Sequence, residues 1–204
     1  MRVIGYLALV ACVVGLAACA KPARVAQMSS GAVDSARIAD NATIQGSLEL
    51  GPVTGGEETN PLWTSEVGPA EFHQALDQSL QASGLLAVAP DSAPFVLTAN
   101  LVEMDQPLFG ADVRVTSTVD YEVTERVGGA PYFKKTLVVG YTADFSDALL
   151  GVERLRLANE GSIRVNISAF VQEFVTFWIE NPPAKDGMPL PDGSDAAVSL
   201  LQLN

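Results

Sequence analysis

His73 is the single histidine of this 204-residue chain, and Asp77 follows it at the spacing of one helical turn. That spacing lets a carboxylate orient an imidazole, but a general base works only within hydrogen-bond reach of a nucleophile. No serine stands in a nucleophile-elbow pattern. The two cysteines, Cys12 and Cys19, both fall near the N-terminus. His73 therefore reads as a solvated helix-face histidine. Glu103 with Asp105, and Asp120 with Glu122, put two carboxylates on one face of a strand. Glycosidases use such pairs, yet the same spacing is ordinary on a wet sheet face. One histidine with no other nearby ligand makes no zinc set. The stretch 186–195 is too sparse in carboxylates for a calcium loop. Gly128-Gly129 lacks a phosphate-loop pattern. The expectation is a protein with no catalytic residues, no metal and no cofactor.

Composition narrows the partners. A formal net charge of −12 gives no basic footprint for nucleic acid, whose affinity rests on neutralising phosphates. It also gives no basic surface for anionic lipid. Acidity here serves solubility.

The elements that would carry these residues form one domain over 42–181. Ile44, Leu48 and Leu50 suit a first strand within 42–50, broken by Gly51-Pro52 and Gly55-Gly56. Gly68-Pro69 opens a helix with Phe72, Leu76 and Leu80 on one face, and Gly84 caps it. Leu85 to Val88 could form a short strand. Three alternating strands follow, around 95–102, 113–124 and 132–141, the last two joined by a hairpin turn at 127–131. Their period-2 pattern marks an antiparallel sheet solvated on one side. A long helix over 148–179 carries Ile163, Ile167, Phe170, Val171, Phe174 and Trp178 as one stripe, and Gly161 marks a kink or a close backbone approach. The predicted fold is α+β: a two-layer sandwich with a mainly antiparallel sheet and two helices on one face, in the order β-α-β-β-β-α. Residues 182–204 read as a flexible tail. Trp63 is expected at the core edge. Leu108 and Phe109, in the loop joining two strands, are a possible partner contact. The polar face of the middle strand (Arg114, Thr116, Thr118, Asp120, Glu122) reads as solvated sheet, and the edge strands could add a peptide by β-augmentation.

The N-terminus has the parts of an export signal. Arg2 supplies a charge, and residues 3–18 are uncharged and mostly apolar. The run falls short of the roughly 20 apolar residues of a spanning helix. Leu16-Ala17-Ala18-Cys19 resembles a bacterial lipobox at every position. Ala18-Cys19-Ala20 also fits the small-residue site of an ordinary secretory signal, whose cleavage would discard the cysteine. The lipobox resemblance implies a signal peptide over 1–18, diacylglycerol on the Cys19 thiol, an acyl chain on its amine, and a flexible lipidated tether over 19–41. Several buried chains give stable anchoring where one is marginal. By the same resemblance, the lack of an aspartate at Ala20 implies an outer-membrane location facing the periplasm.

The lipobox, the element order and the last helix from Arg154 to Phe170 together resemble small Gram-negative envelope lipoproteins. These include the YajG-like proteins, the auxiliary lipoproteins of ABC transporters and the LPS-assembly lipoprotein LptE. The resemblance covers about 43–179. It implies a non-enzymatic accessory for envelope transport or outer-membrane assembly that works through an envelope protein partner; the alternative is a binder of a small hydrophobic ligand or lipid between sheet and helices.

Overall fold

The computed structural model describes residues 21–59, 65–107 and 110–183. Cys19, Trp63, Leu108, Phe109 and the segment 184–204 lie outside them. In chain order the elements are α1 (Val25–Met28), α2 (Ser35–Ala39), β1 (Leu48–Gly55), α3 (Pro69–Ser83), a 3-10 turn (Pro90–Ser92), β2 (Phe95–Asp105), β3 (Val113–Glu125), β4 (Pro131–Ala143) and α4 (Gly151–Glu180). The described residues form an α+β fold with one four-stranded sheet, ordered β1-β2-β3-β4.

The sheet is mixed rather than purely antiparallel: two of its three pairings match the mainly antiparallel expectation, and one does not. β2–β3 and β3–β4 are antiparallel, but β1 runs parallel to β2. The cause is α3. A helix between two strands carries the chain back along the sheet, so the second strand runs the same way as the first. α3 itself forms as its residues predict. Pro69 sits in the first turn behind Gly68, Phe72, Leu76 and Leu80 are buried, and the Gly84 N–H closes the last turn onto Gln81 and Leu80.

β1 also lies further along the chain than its apolar spacing suggested. Residues 42–46 are turn, and the strand passes through Gly51-Pro52 with a register shift between Leu50 and Val53. An edge strand tolerates a proline that cannot donate to a ladder. The strand expected over 85–88 contracts to one bridge, Leu48 with Leu86.

Alternation in β2 and β3 turns one face to the core. Leu97 pairs with Val123, Ala99 with Tyr121 and Leu101 with Val119, and all six are buried. The opposite face of β3, from Arg114 to Glu122, is exposed or half-buried. Helix α4 lies over the core face. Gly161 answers its two sequence readings: it is a close approach, since a Cβ there would overlap the Tyr141 ring.

The larger correction concerns residues 21–41, expected as tether. From Lys21 onward the chain is folded onto the domain. Ala23, Met28 and Ile38 are buried in the same apolar core as α3, α4 and the sheet. The chain climbs α4 in its own direction. Arg24 meets Glu160, the Gln27 carbonyl accepts from Arg164, and Arg37 donates to Thr176. Thr43 then accepts a hydrogen bond from the Trp178 Nε1 at 3.2 Å. The sequence lacks a period here because the segment lies in a groove and touches the core with one residue at a time.

Candidate functional site: the end that receives the N-terminus

Chain connectivity assigns the two ends of the sheet. The β1–α3, β2–β3 and β4–α4 connections lie at one end. The β3–β4 hairpin and the C-terminus of α4 lie at the other. Lys21 enters at the first end, where its carbonyl accepts from Ser65 Oγ at 2.8 Å, and the Ser65 carbonyl accepts from Asn159 Nδ2 at 2.6 Å.

The first turns of α4 are built from charge. Arg154, Arg156, Asn159 and Glu160 are all buried. Glu160 is 1% exposed. Three donors of Arg24 reach its carboxylate: the backbone N at 2.8 Å, Nε at 3.0 Å and Nη2 at 2.8 Å. Burying a carboxylate is costly unless it is paired and hydrogen-bonded, so Arg24 is held where it is. The pairing in turn raises the Arg24 pKa, chiefly through the hydrogen bond to Glu160. Arg156 adds a longer contact to Glu160, 3.8 Å from Nε, and pairs with Glu153.

Arg154 organises the loop over 144–150. Its Nη1 donates to the Ala148 and Leu149 carbonyls at 2.7 and 3.1 Å, and Nη2 reaches the Gly110 carbonyl at 3.5 Å. Its guanidinium lies over the Phe145 ring, 5.0 Å from the centroid. Two carboxylates complete the loop: Asp112 accepts from the Phe145 N–H and Asp147 from the Asp144 N–H. With its backbone so fixed, the loop presents Phe145, Leu149 and Leu150 outward at 53%, 82% and 54% exposure.

An open cleft of about 640 Å³ at the same end is bordered by Gly55, Asn100, Glu57, Glu66, Glu103 and Asp105. It contains the first carboxylate pair considered for chemistry. Among the described residues no group of three or more His, Cys, Asp or Glu side chains is placed to hold a metal.

The structure scatters the remaining candidates. His73 is exposed on α3, and no hydrogen bond joins it to Asp77, which is half-buried. Asp120 accepts from Thr136 Oγ1 at 2.6 Å and Glu122 pairs with Lys134 at 3.3 Å, both on the open sheet face. Cys19, Leu108 and Phe109 fall outside the described residues.

The sequence reading passed over Glu160, Arg156 and Arg154. One feature could have found them. The apolar stripe of α4 continues N-terminally at helical spacing through Glu160 and Arg156. A charge on a buried stripe demands a partner from elsewhere in the chain.

Neither a family model nor a curated protein matches this chain. Solved structures do align with it. Protein XCC0632 from Xanthomonas campestris, of the family DUF330, aligns with 69% of this chain and 92% of its own at TM-score 0.50 and 10% identity. The hypothetical protein CT253 from Chlamydia trachomatis follows at TM-score 0.48, 14% identity, and 67% and 99% coverage. A candidate lipoprotein from Caulobacter crescentus CB15 has TM-score 0.44, 14% identity, and 68% and 95% coverage. The first likeness is one of fold alone, and the other two are too distant to carry an argument. Among the described residues no helix is long and apolar enough to cross a membrane.

Proposed function

We propose that this chain is a lipid-anchored accessory lipoprotein of the Gram-negative cell envelope. Cys19 holds it in the outer membrane, and the domain faces the periplasm. It supports a transport or assembly system through protein–protein contacts and carries no reaction of its own. The observation that carries the reading is positional. Lys21, two residues behind the Leu16-Ala17-Ala18-Cys19 motif, is already hydrogen-bonded to the domain, and Arg24 is clamped on buried Glu160. Cutting the signal at Cys19 leaves this clamp whole.

The alternative of a hydrophobic-ligand binder has less support. The space between α4 and the sheet is filled by packed side chains: Tyr121 stacks on Phe170 at 4.3 Å, and Ser117, Ser162 and Asn166 close a buried hydrogen-bond network. The test of the anchor is Cys19→Ala in cells fed labelled palmitate. The wild type takes up label and sediments with outer membranes, and the variant does neither. Label retained on the variant would refute the assignment. Crosslinking in living cells then identifies the partner.

A further inference from the structure

The loop at 144–150 poses a physical problem. Three large apolar side chains stand in water on a backbone pinned by a buried arginine and two carboxylates. Isolated exposed leucines are common. Here Phe145, Leu149 and Leu150 occupy one short loop, and Arg154, Asp112 and Asp147 spend their hydrogen bonds on fixing it.

The position of the chain's N-terminal end says what faces this loop. Lys21 is tied through Ser65 to Asn159. From Asn159 to Gly151, the start of α4, is eight residues (159 − 151), about 12 Å of helix at about 1.5 Å per residue. Cys19 is two residues before Lys21. Consecutive Cα atoms are about 3.8 Å apart, so two peptide units reach at most about 7.6 Å. A lipid on Cys19 is therefore held at the same end of the fold as Phe145, Leu149 and Leu150. No long spacer intervenes, because the chain is folded from Lys21.

We infer that this end is a bilayer-docking surface: Phe145, Leu149 and Leu150 enter the headgroup–acyl boundary of the membrane that holds the Cys19 lipid. The inference rests on the anchoring proposed above and adds an orientation to it. The open sheet face and the β3–β4 hairpin then point away from or along the membrane, free for the periplasm. The exposed carboxylates Asp112, Asp144 and Asp147 at this end match a zwitterionic lipid surface rather than an anionic one, since like charges repel.

The mature lipoprotein offers a direct test, since Cys19 is its one cysteine and its thiol is used by the lipid. Full-length Leu149→Cys and Val127→Cys proteins are matured in cells, labelled with bimane and placed in phosphatidylethanolamine–phosphatidylcholine vesicles. Val127 lies on the opposite hairpin and is exposed. The expected result is loss of bimane fluorescence at 149 with nitroxide-bearing lipid, and none at 127. Aqueous iodide should show the reverse. A probe at Phe145→Cys should follow 149. Vesicle-bound, acylated protein with equal iodide quenching at 149 and 127 would overturn the docking surface and leave the anchor standing. Mass spectrometry showing no acyl chain on Cys19 would overturn both. A position 149 exposed in vesicles but shielded in cells would assign the surface to a protein partner and overturn its assignment to lipid.

Discussion

The two halves of α4 bury different chemistry. From Ile163 to Trp178 the buried stripe is aliphatic and aromatic apart from Asn166, and it packs on Phe95, Tyr121 and Phe133 of the sheet. Trp178 meets Phe95 and Tyr132 edge-on at 5.3 and 5.4 Å, and Phe133 meets Phe174 at 5.6 Å. From Arg154 to Glu160 the buried positions are mostly charged or amide, beside a small apolar cluster of Val113, Val115, Ala143 and Ala158. Apolar burial is non-directional and roughly proportional to area. A buried charge is directional and accepts few partners. The aromatic half therefore supplies cohesion, and the charged half fixes where the N-terminal chain and the 144–150 loop must lie. Stability and placement are separated along one helix.

Substitutions should separate them too. Trp178→Ala strikes the aromatic half and should cost about 3–5 kcal/mol, as large aromatic truncations do, seen as a lowered urea midpoint. A loss near zero would show that cohesion lies elsewhere. Arg24→Ala strikes the charged half. It leaves Glu160 buried with the backbone N–H and the distant Arg156, and should cost about 2 kcal/mol, within the range for charge-assisted hydrogen bonds. Its sharper readout is local: faster hydrogen exchange over 21–30, with protection around Phe170 unchanged. Glu160→Gln in the same chain should recover part of the loss, the coupling a double-mutant cycle measures.

Tyr121 adds a polar contact inside the aromatic half, donating to Asn166 Oδ1 at 3.0 Å. Tyr121→Phe should cost about 1–2 kcal/mol by leaving that acceptor without its partner. Burial pushes the Tyr121 hydroxyl well above the ordinary tyrosine range. In the unfolded chain it ionises near about pH 10. Above that pH the unfolded state binds fewer protons than the folded one, so stability is full below about pH 10 and falls as pH rises beyond it. The fall in melting temperature between pH 9 and 11 should be shallower in Tyr121→Phe. Leu149→Ser should change stability by less than about 0.5 kcal/mol, as exposed substitutions do. A larger loss would mean that the loop tip contributes to the fold rather than to an external surface.

Much of the sheet and both long helices were legible in the residues because their patterns repeat. The alternation of 113–123 and the stripe of 163–178 each state a period many times over. β1 was legible only in part, since Gly51-Pro52 reads as a break where the edge of a sheet tolerates it. The parallel pairing of β1 with β2 follows from the intervening helix, which the residues do show. The segment 21–41 looks like a tether in sequence because Met28 and Ile38 touch the core singly. The carboxylates weighed for chemistry were correctly placed on wet strand faces. Glu160 carries no reactive motif, and only its place on the apolar stripe of α4 marks it as a buried carboxylate that holds a partner.

The Arg24–Glu160 clamp also determines how force would enter the molecule. A pull on the N-terminal end of the chain reaches Arg24 before it reaches α1, α2 or β1. Its three hydrogen bonds share one carboxylate, so they bear load together, whereas a strand end unzips one bond after another. Glu160 passes that load to α4, the helix lying across β3 and β4. Tension along the N-terminal chain is thus delivered to the packed interface between α4 and the sheet, and the segment that climbs α4 behind Arg24 is shielded from it.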